Sequence, residues 1–241
     1  NLLHPLQAAM TSDTNLICQG NTINFTDLSV GTGLSYAWYF GDGGTSTATS
    51  PSHMFPLTGI YIVMEVITDF IPCMDTAYRV VSVDTISPLK ITQTDAVICK
   101  GTYVTFTGNY SAIGNTGIIW EMGNGETIRD VNPLTYGYSA TGPFTISAKA
   151  LYRVCPEPQD AVKLTVMPPP VVDLGPDTTI CKGSVALTIR DRINSRAPDV
   201  TWEWNTAATT SYIVVTEPGI YSVTAMMNGC ETEKSVKVDN D

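Results

Sequence analysis

Apolar side chains recur at every second position along several short stretches. Tyr36, Trp38 and Phe40 share one side of such a stretch, with Ala37 and Tyr39 between them. Ile118, Trp120 and Met122 repeat the arrangement, and so do Val200, Trp202 and Trp204. Ile23 and Phe25, Val104 and Phe106, and Val185 and Leu187 make a second set. Tyr61 and Val63, Phe144 and Ile146, and Tyr221 and Val223 make a third. A period of two places each group on one face of a half-buried strand, with the tryptophans directed into a core. No stretch keeps a helical period over three turns. The pattern predicts an all-β chain of small antiparallel sandwiches.

The landmarks also repeat at long range. Ile-Cys-Gln-Gly at 17–20 returns as Ile-Cys-Lys-Gly at 98–101 and 180–183. Trp38, Trp120 and Trp202 are spaced by 82 residues each time. A glycine followed two residues later by an aromatic recurs as Gly59 and Tyr61, Gly142 and Phe144, and Gly219 and Tyr221. Several landmarks with one period indicate tandem copies of one domain. The expected domains are 1–88, 89–168 and 169–241. Prolines mark the junctions, in Ser-Pro-Leu-Lys at 87–90 and Met-Pro-Pro-Pro at 167–170. Proline favours extended, semi-rigid backbone, so the three domains are expected to form an elongated array.

Each copy holds two cysteines, Cys18 and Cys73, Cys99 and Cys155, Cys181 and Cys230. Six cysteines allow fifteen connectivities. The repeat singles out pairing within each copy, namely Cys18–Cys73, Cys99–Cys155 and Cys181–Cys230. Zinc is the rival use of these thiols, but it needs clustered Cys and His, and the histidines are only His4 and His53. Disulfides imply an oxidising compartment outside the cytoplasm.

Charge narrows the function classes. The chain has 13 basic and 23 acidic residues, a net charge of −10. A nucleic-acid binder needs a basic footprint, and none is visible. The longest apolar run, Ile60–Ile67, contains Glu65 and is too short to span a bilayer. Asn1–Ala9 lacks a basic start followed by an apolar stretch, which reads as a mature or excised chain. Arg79 is the only basic residue among 1–88, against seven acids. That favours a solubilising surface, with cationic partners as the alternative.

The first copy carries enough landmarks to name a family. Tyr-Ala-Trp-Tyr-Phe-Gly-Asp-Gly-Gly (36–44), Ser-Pro-Ser-His-Met-Phe (50–55) and Leu-Thr-Gly-Ile-Tyr-Ile-Val (57–63) resemble the PKD domain, an immunoglobulin-like sandwich. The second copy has a weaker form, with Asn124 in place of the aspartate and no histidine strand. The third looks like a related Ig-like unit without the Gly-Asp-Gly turn, similar to units in surface proteins exported by type IX secretion in gliding bacteria. The resemblance implies an extracellular or cell-surface, outer-membrane-associated protein with spacing, adhesive or contact roles rather than catalysis. It also implies that Trp38, Phe40, Gly41, Asp42, Gly43, His53 and Tyr61, with Trp120 and Trp202, form a structural core motif. The partner expected is a protein or surface polysaccharide, with the chain part of a larger multi-domain protein.

The candidate sites read as structural. Asp42 has no second acid facing it across a substrate bond, as glycoside hydrolysis needs. No phosphate-loop pattern follows it. It reads as the brace of a tight turn, with calcium as the alternative. Asp173 and Asp177 read as turn acids in the same way. Asp75-Thr76-Ala77, Asp84-Thr85-Ile86 and Asp177-Thr178-Thr179 resemble bacterial O-glycosylation signals. No catalytic residue, metal or cofactor is expected. A carbohydrate-binding accessory module of a secreted polysaccharide-degrading enzyme is the alternative function, and outward Tyr39 is its one candidate on the tryptophan strand. Glu65 breaks the pattern, because Tyr61 and Val63 place it on the inward face. Either a β-bulge flips the register there, or the first copy exposes Ile60, Ile62, Met64 and Val66 as an apolar stripe. The bulge, or a neighbouring domain covering the stripe, is preferred to a ligand surface.

Overall fold

A computed structural model describes residues 5–181 and 186–240. His4 and Val185 lie outside the described residues. The described chain is all β. The first unit holds β1 (Met10–Ser12), β2 (Leu16–Cys18), β3 (Thr22–Asp27), β4 (Ser35–Tyr39), β5 (Thr45–Ser46), β6 (Ser52–Met54), β7 (Gly59–Thr68) and β8 (Met74–Asp84). They form two sheets, β1-β3-β6 and β2-β8-β7-β4-β5.

The second unit holds β9 (Lys90–Gln93), β10 (Val97–Cys99), β11 (Tyr103–Asn109), β12 (Asn115–Glu121), β13 (Thr127–Arg129), β14 (Leu134–Gly137), β15 (Gly142–Tyr152) and β16 (Gln159–Met167). Its sheets are β14-β11-β9 and β10-β16-β15-β12-β13, the same order. The third holds β17 (Thr178–Ile180), β18 (Leu187–Arg190), β19 (Val200–Trp204), β20 (Tyr212–Val215), β21 (Gly219–Met227) and β22 (Cys230–Asn240), in sheets β17-β22-β21-β19 and β18-β20.

One parallel pairing recurs. β2 lies along the end of β8, β10 along the end of β16 and β17 along the end of β22. Each sandwich closes on its own core. Trp38, Phe25, Phe40 and Phe55 fill the first, Trp120, Phe106 and Tyr138 the second, and Trp204, Val223 and Ile213 the third. The chain exposes 13776 Å². One compact protein of this size would expose about 10,500 Å², and three separate domains of a third the mass about 14,000 Å². The units therefore stand in series and bury little surface between them.

The tryptophan strand differs in the third unit. Trp38 pairs with Glu65, Trp120 with Ala148 and Trp202 with Ala225, so the three are equivalent in register. Trp38 and Trp120 are fully buried, and their indole N–H groups donate to the carbonyls of Ala48 and Val131. In the third unit the fully buried ring is Trp204, which donates to the Thr210 carbonyl. Trp202 is only half-buried at the edge of the core, and its indole N–H reaches the buried carboxylate of Asp191 at 3.2 Å.

The expected bulge at Glu65 is absent. β7 pairs without a break with β8, from Gly59 opposite Val83 to Thr68 opposite Met74, and with β4. The register is pinned because Val63 and Ile67 on the same face are fully buried. A one-residue slip would turn that whole face to solvent. Glu65 is consequently carried into the core at 0 % exposure, and among the described residues neither carboxylate oxygen has a hydrogen-bond partner. Of the outward stripe, Ile60 and Ile62 stay open at 76 % and 60 % exposure, while Met64 and Val66 are half-buried.

Burial pushes the Glu65 carboxyl up to about 8, and the nearby Asp27 carboxylate adds to the rise. The native state thus holds a proton that the unfolded chain releases above its ordinary value of 4.5. Stability of the first unit should fall as pH rises from that value and level off above about 8. Glu65→Gln removes the titration. By calorimetry its first-unit melting temperature should exceed the parent's by roughly 15 °C more at alkaline than at mildly acidic pH, a difference of about 3 kcal/mol. Parallel pH profiles for the two proteins would contradict this account.

Candidate functional site

Two local constructions stand out, the turn after the tryptophan strand and the junctions between units. In the turn, Gly41 and Gly43 adopt φ of 85° and 96°. Gly41 is also pressed against β7, where a Cβ would sit 2.9 Å from the Ile62 carbonyl oxygen. Asp42 Oδ1 accepts the Gly44 N–H at 2.9 Å, and Oδ2 lies 2.7 Å from His53 Nε2 on β6. The His53 ring stacks on Phe40 at 3.9 Å and meets Phe55 edge-on at 4.8 Å. The Asp42–His53 pair therefore ties the turn of one sheet to a strand of the other. Among the described residues no hydroxyl or thiol bonds to His53.

The second unit rebuilds this clamp with different chemistry. Asn124 Oδ1 accepts the Glu126 N–H at 3.0 Å, and its Nδ2 donates to Tyr136 Oη at 2.7 Å. Tyr136 lies opposite Val104 as His53 lies opposite Ile23, so a tyrosine fills the place where the sequence lacks a histidine. Tyr138 and Phe144 then repeat the packing of Phe55 and Tyr61. In the third unit Trp204 N–H donates to the Ala208 carbonyl and closes a related turn without glycine. The acids considered for calcium accept backbone N–H groups. Asp173 accepts from Gly175, and Asp177 from Lys237. Among the described residues no three His, Cys, Asp or Glu side chains converge on a common point.

The junctions overturn the expected disulfides. The bonds are Cys18–Cys155 and Cys99–Cys230, with Cα atoms 4.9 and 5.5 Å apart. Each joins the first cysteine of one unit to the second cysteine of the next. The pairings Cys18–Cys73, Cys99–Cys155 and Cys181–Cys230 are excluded by strand length. Cys18 is level with Asp84 at the end of β8, whereas Cys73 precedes Met74 at its beginning. Eleven residues of strand rise about 36 Å, and a disulfide needs Cα atoms within about 7 Å. The same separation by a long strand holds for Cys99 and Cys155 along β16 and for Cys181 and Cys230 along β22. The first cysteine always lies at the pole where its unit's chain leaves, and the second on the hairpin tip at the pole where the chain enters.

Polar contacts reinforce the first junction. Arg153, on the hairpin tip of the second unit, donates through Nε and Nη2 to the two oxygens of Asp84, both at 2.6 Å. Asp84 is almost fully buried, and a paired guanidinium is what makes a buried carboxylate tolerable there. Gly114 packs on the same carboxylate, where a Cβ would lie 2.2 Å from Asp84 Oδ2. Cys18 itself belongs to the apolar cluster of the second unit. At the second junction the Lys100 N–H donates to the Met167 carbonyl, as the Gln19 N–H does to Asp84 in the first unit, and Cys230 is fully buried.

Residues 5–80 match the family model of the PKD domain. A search of curated proteins finds no match. The PKD1 domain of the Vibrio cholerae metalloprotease PrtV is 28 % identical over 33 % of this chain and 98 % of its own, with a TM-score of 0.30. The PKD1 domain of Vibrio anguillarum Epp is also 28 % identical, over 33 % of this chain and 93 % of that one, with a TM-score of 0.29. The I-band fragment I67–I69 from titin aligns over 96 % of this chain and 98 % of its own at 14 % identity, with a TM-score of 0.53. That likeness establishes the fold, tandem Ig-type sandwiches along nearly the whole chain.

Burial opposes the charge on Asp42, but the bonds from His53 and the Gly44 N–H outweigh it and hold its carboxyl below the ordinary value. Its stabilising contribution is therefore complete above about pH 4 and fades as pH falls through the lowered pKa. Asp42→Ala should destabilise the first unit by about 2 kcal/mol at neutral pH, a fall of roughly 10 °C in calorimetry. Asp42→Asn should cost far less and flatten the acid limb, since Asn124 serves the second unit.

Proposed function

We propose that this chain is a non-catalytic structural segment of an exported bacterial surface or secreted protein. It holds Ig-type units in series at fixed mutual orientation, so that a distal adhesive or contact region is presented away from the cell. PKD and Ig-like domains are typically non-catalytic extracellular modules, and the disulfides fit an oxidising environment. The observation that carries the reading is the pair of disulfides running from unit to unit. A linker alone leaves neighbouring domains free to swing. A second covalent tie, at a different point on the same pole, removes that freedom.

The test is the coupling between units. Non-reducing peptide mapping should recover Cys18–Cys155 and Cys99–Cys230. Nuclear-spin relaxation should show all three units tumbling as one elongated body when oxidised, and more rapidly and separately after reduction. Bonds within a unit, or tumbling indifferent to reduction, would overturn the proposal.

A second reading, the carbohydrate-binding accessory module, draws on the open face of the first unit. Tyr39, Met64 and Tyr78 form one row across β4, β7 and β8, and both tyrosines are exposed. They stand two strands apart, roughly 10 Å, a spacing over which a sugar chain can stack. A glycan array should then show binding that Tyr39→Ser and Tyr78→Ser each abolish. An array without hits removes this reading and leaves the structural one intact.

A further inference from the structure

Cys73 occupies the one hairpin tip among the three whose cysteine is not in a disulfide, and it is exposed. Its counterparts Cys155 and Cys230 sit in the same place between the long strands of their units. Both are buried against the preceding unit and bonded to that unit's first cysteine. The tip is otherwise built as the others are. Asp69 Oδ1 accepts the Ile71 and Cys73 N–H groups at 2.9 Å and shapes the turn. Ile71 and Met74 flank the thiol and are 50 % and 71 % exposed.

The incoming chain passes the same point. Asp75 Oδ2, two residues from Cys73, accepts the Ala8 N–H at 2.7 Å. In the second unit Asp160, near the start of β16, likewise accepts the Ile91 N–H at 2.8 Å. A unit joined ahead of Ala8 would therefore be delivered over the tip that bears Cys73.

We infer that Cys73 is an interdomain cross-linking site whose partner is the first cysteine, in an Ile-Cys-x-Gly segment, of another Ig-type unit docked on this tip. The bond would continue the register set by the two junctions present. Its formation oxidises two thiols. One thiolate attacks the disulfide of a disulfide-bearing oxidant and releases one of its thiols. The second cysteine's thiolate then displaces the other, so two protons and two electrons leave the pair and the oxidant departs as two thiols. The apolar Ile71 and Met74 would be covered by the docked unit.

The inference rests on the junctions acting as covalent staples, and one experiment separates the two claims. A copy of residues 89–168 is joined ahead of residue 1 of the full chain, and the product is refolded with oxidised and reduced glutathione. Iodoacetamide labelling and non-reducing peptide mapping follow. Cys73 should be alkylated in the 241-residue chain and protected in the extended one, and a peptide joining Cys73 to the added unit's counterpart of Cys99 should appear. Cys73→Ser should return that added cysteine to the alkylated fraction while both existing junctions persist. If both existing bonds form and Cys73 remains a thiol, or bonds any other cysteine, this inference is overturned alone. If Cys18–Cys155 and Cys99–Cys230 fail to form as well, the structural reading fails with it.

Discussion

The height of a sandwich governs how this chain is held together. In each unit one strand runs from the pole where the chain enters to the pole where it leaves, and the two cysteines sit at its opposite ends. Within a unit they cannot meet. Across a junction they are brought face to face, because the exit pole of one unit abuts the hairpin tip of the next. Asp84 and Arg153 add an ion pair to the same contact, its carboxylate buried and its guanidinium half exposed. Such a pair contributes little to stability on its own account, but it is costly to break one-sidedly and therefore fixes orientation.

The repeat, the strand pattern and the tryptophan landmarks were legible in the sequence because alternation and period are local properties. The disulfide pairing was not, since it depends on which pole each cysteine reaches. One signal was available. A cysteine just before an early strand and a cysteine in the turn following a long strand are not positions facing each other across a sandwich core. The Trp202 and Trp204 exchange was hidden for a different reason. Both residues lie on the same face, so alternation alone does not choose between them, and the buried carboxylate of Asp191 that accepts the Trp202 indole N–H at the edge lies far from it in sequence. Tyr136 could not be recognised as the stand-in for His53 until the sheet register placed it.

Glu65 shows a conflict between levels that the fold resolves by protonation. Register is set by a whole strand, and one carboxyl is not enough to shift it when Val63 and Ile67 require the same face. A neutral acid in the core is the remaining solution. The Asp42 clamp in the same unit takes the opposite course and keeps its charge by supplying donors. The first unit thus contains one carboxyl favoured by acid and one weakened by it, and its tolerance of pH is set between them.

The two disulfides also interleave along the chain. The loop closed by Cys18 and Cys155 overlaps the loop closed by Cys99 and Cys230. Every peptide bond from Cys18 to Cys230, both linkers included, lies inside at least one of them. A single proteolytic cut anywhere in that span leaves the two fragments joined. In an extracellular setting, where linkers are the usual points of attack, this chain can be nicked without being severed.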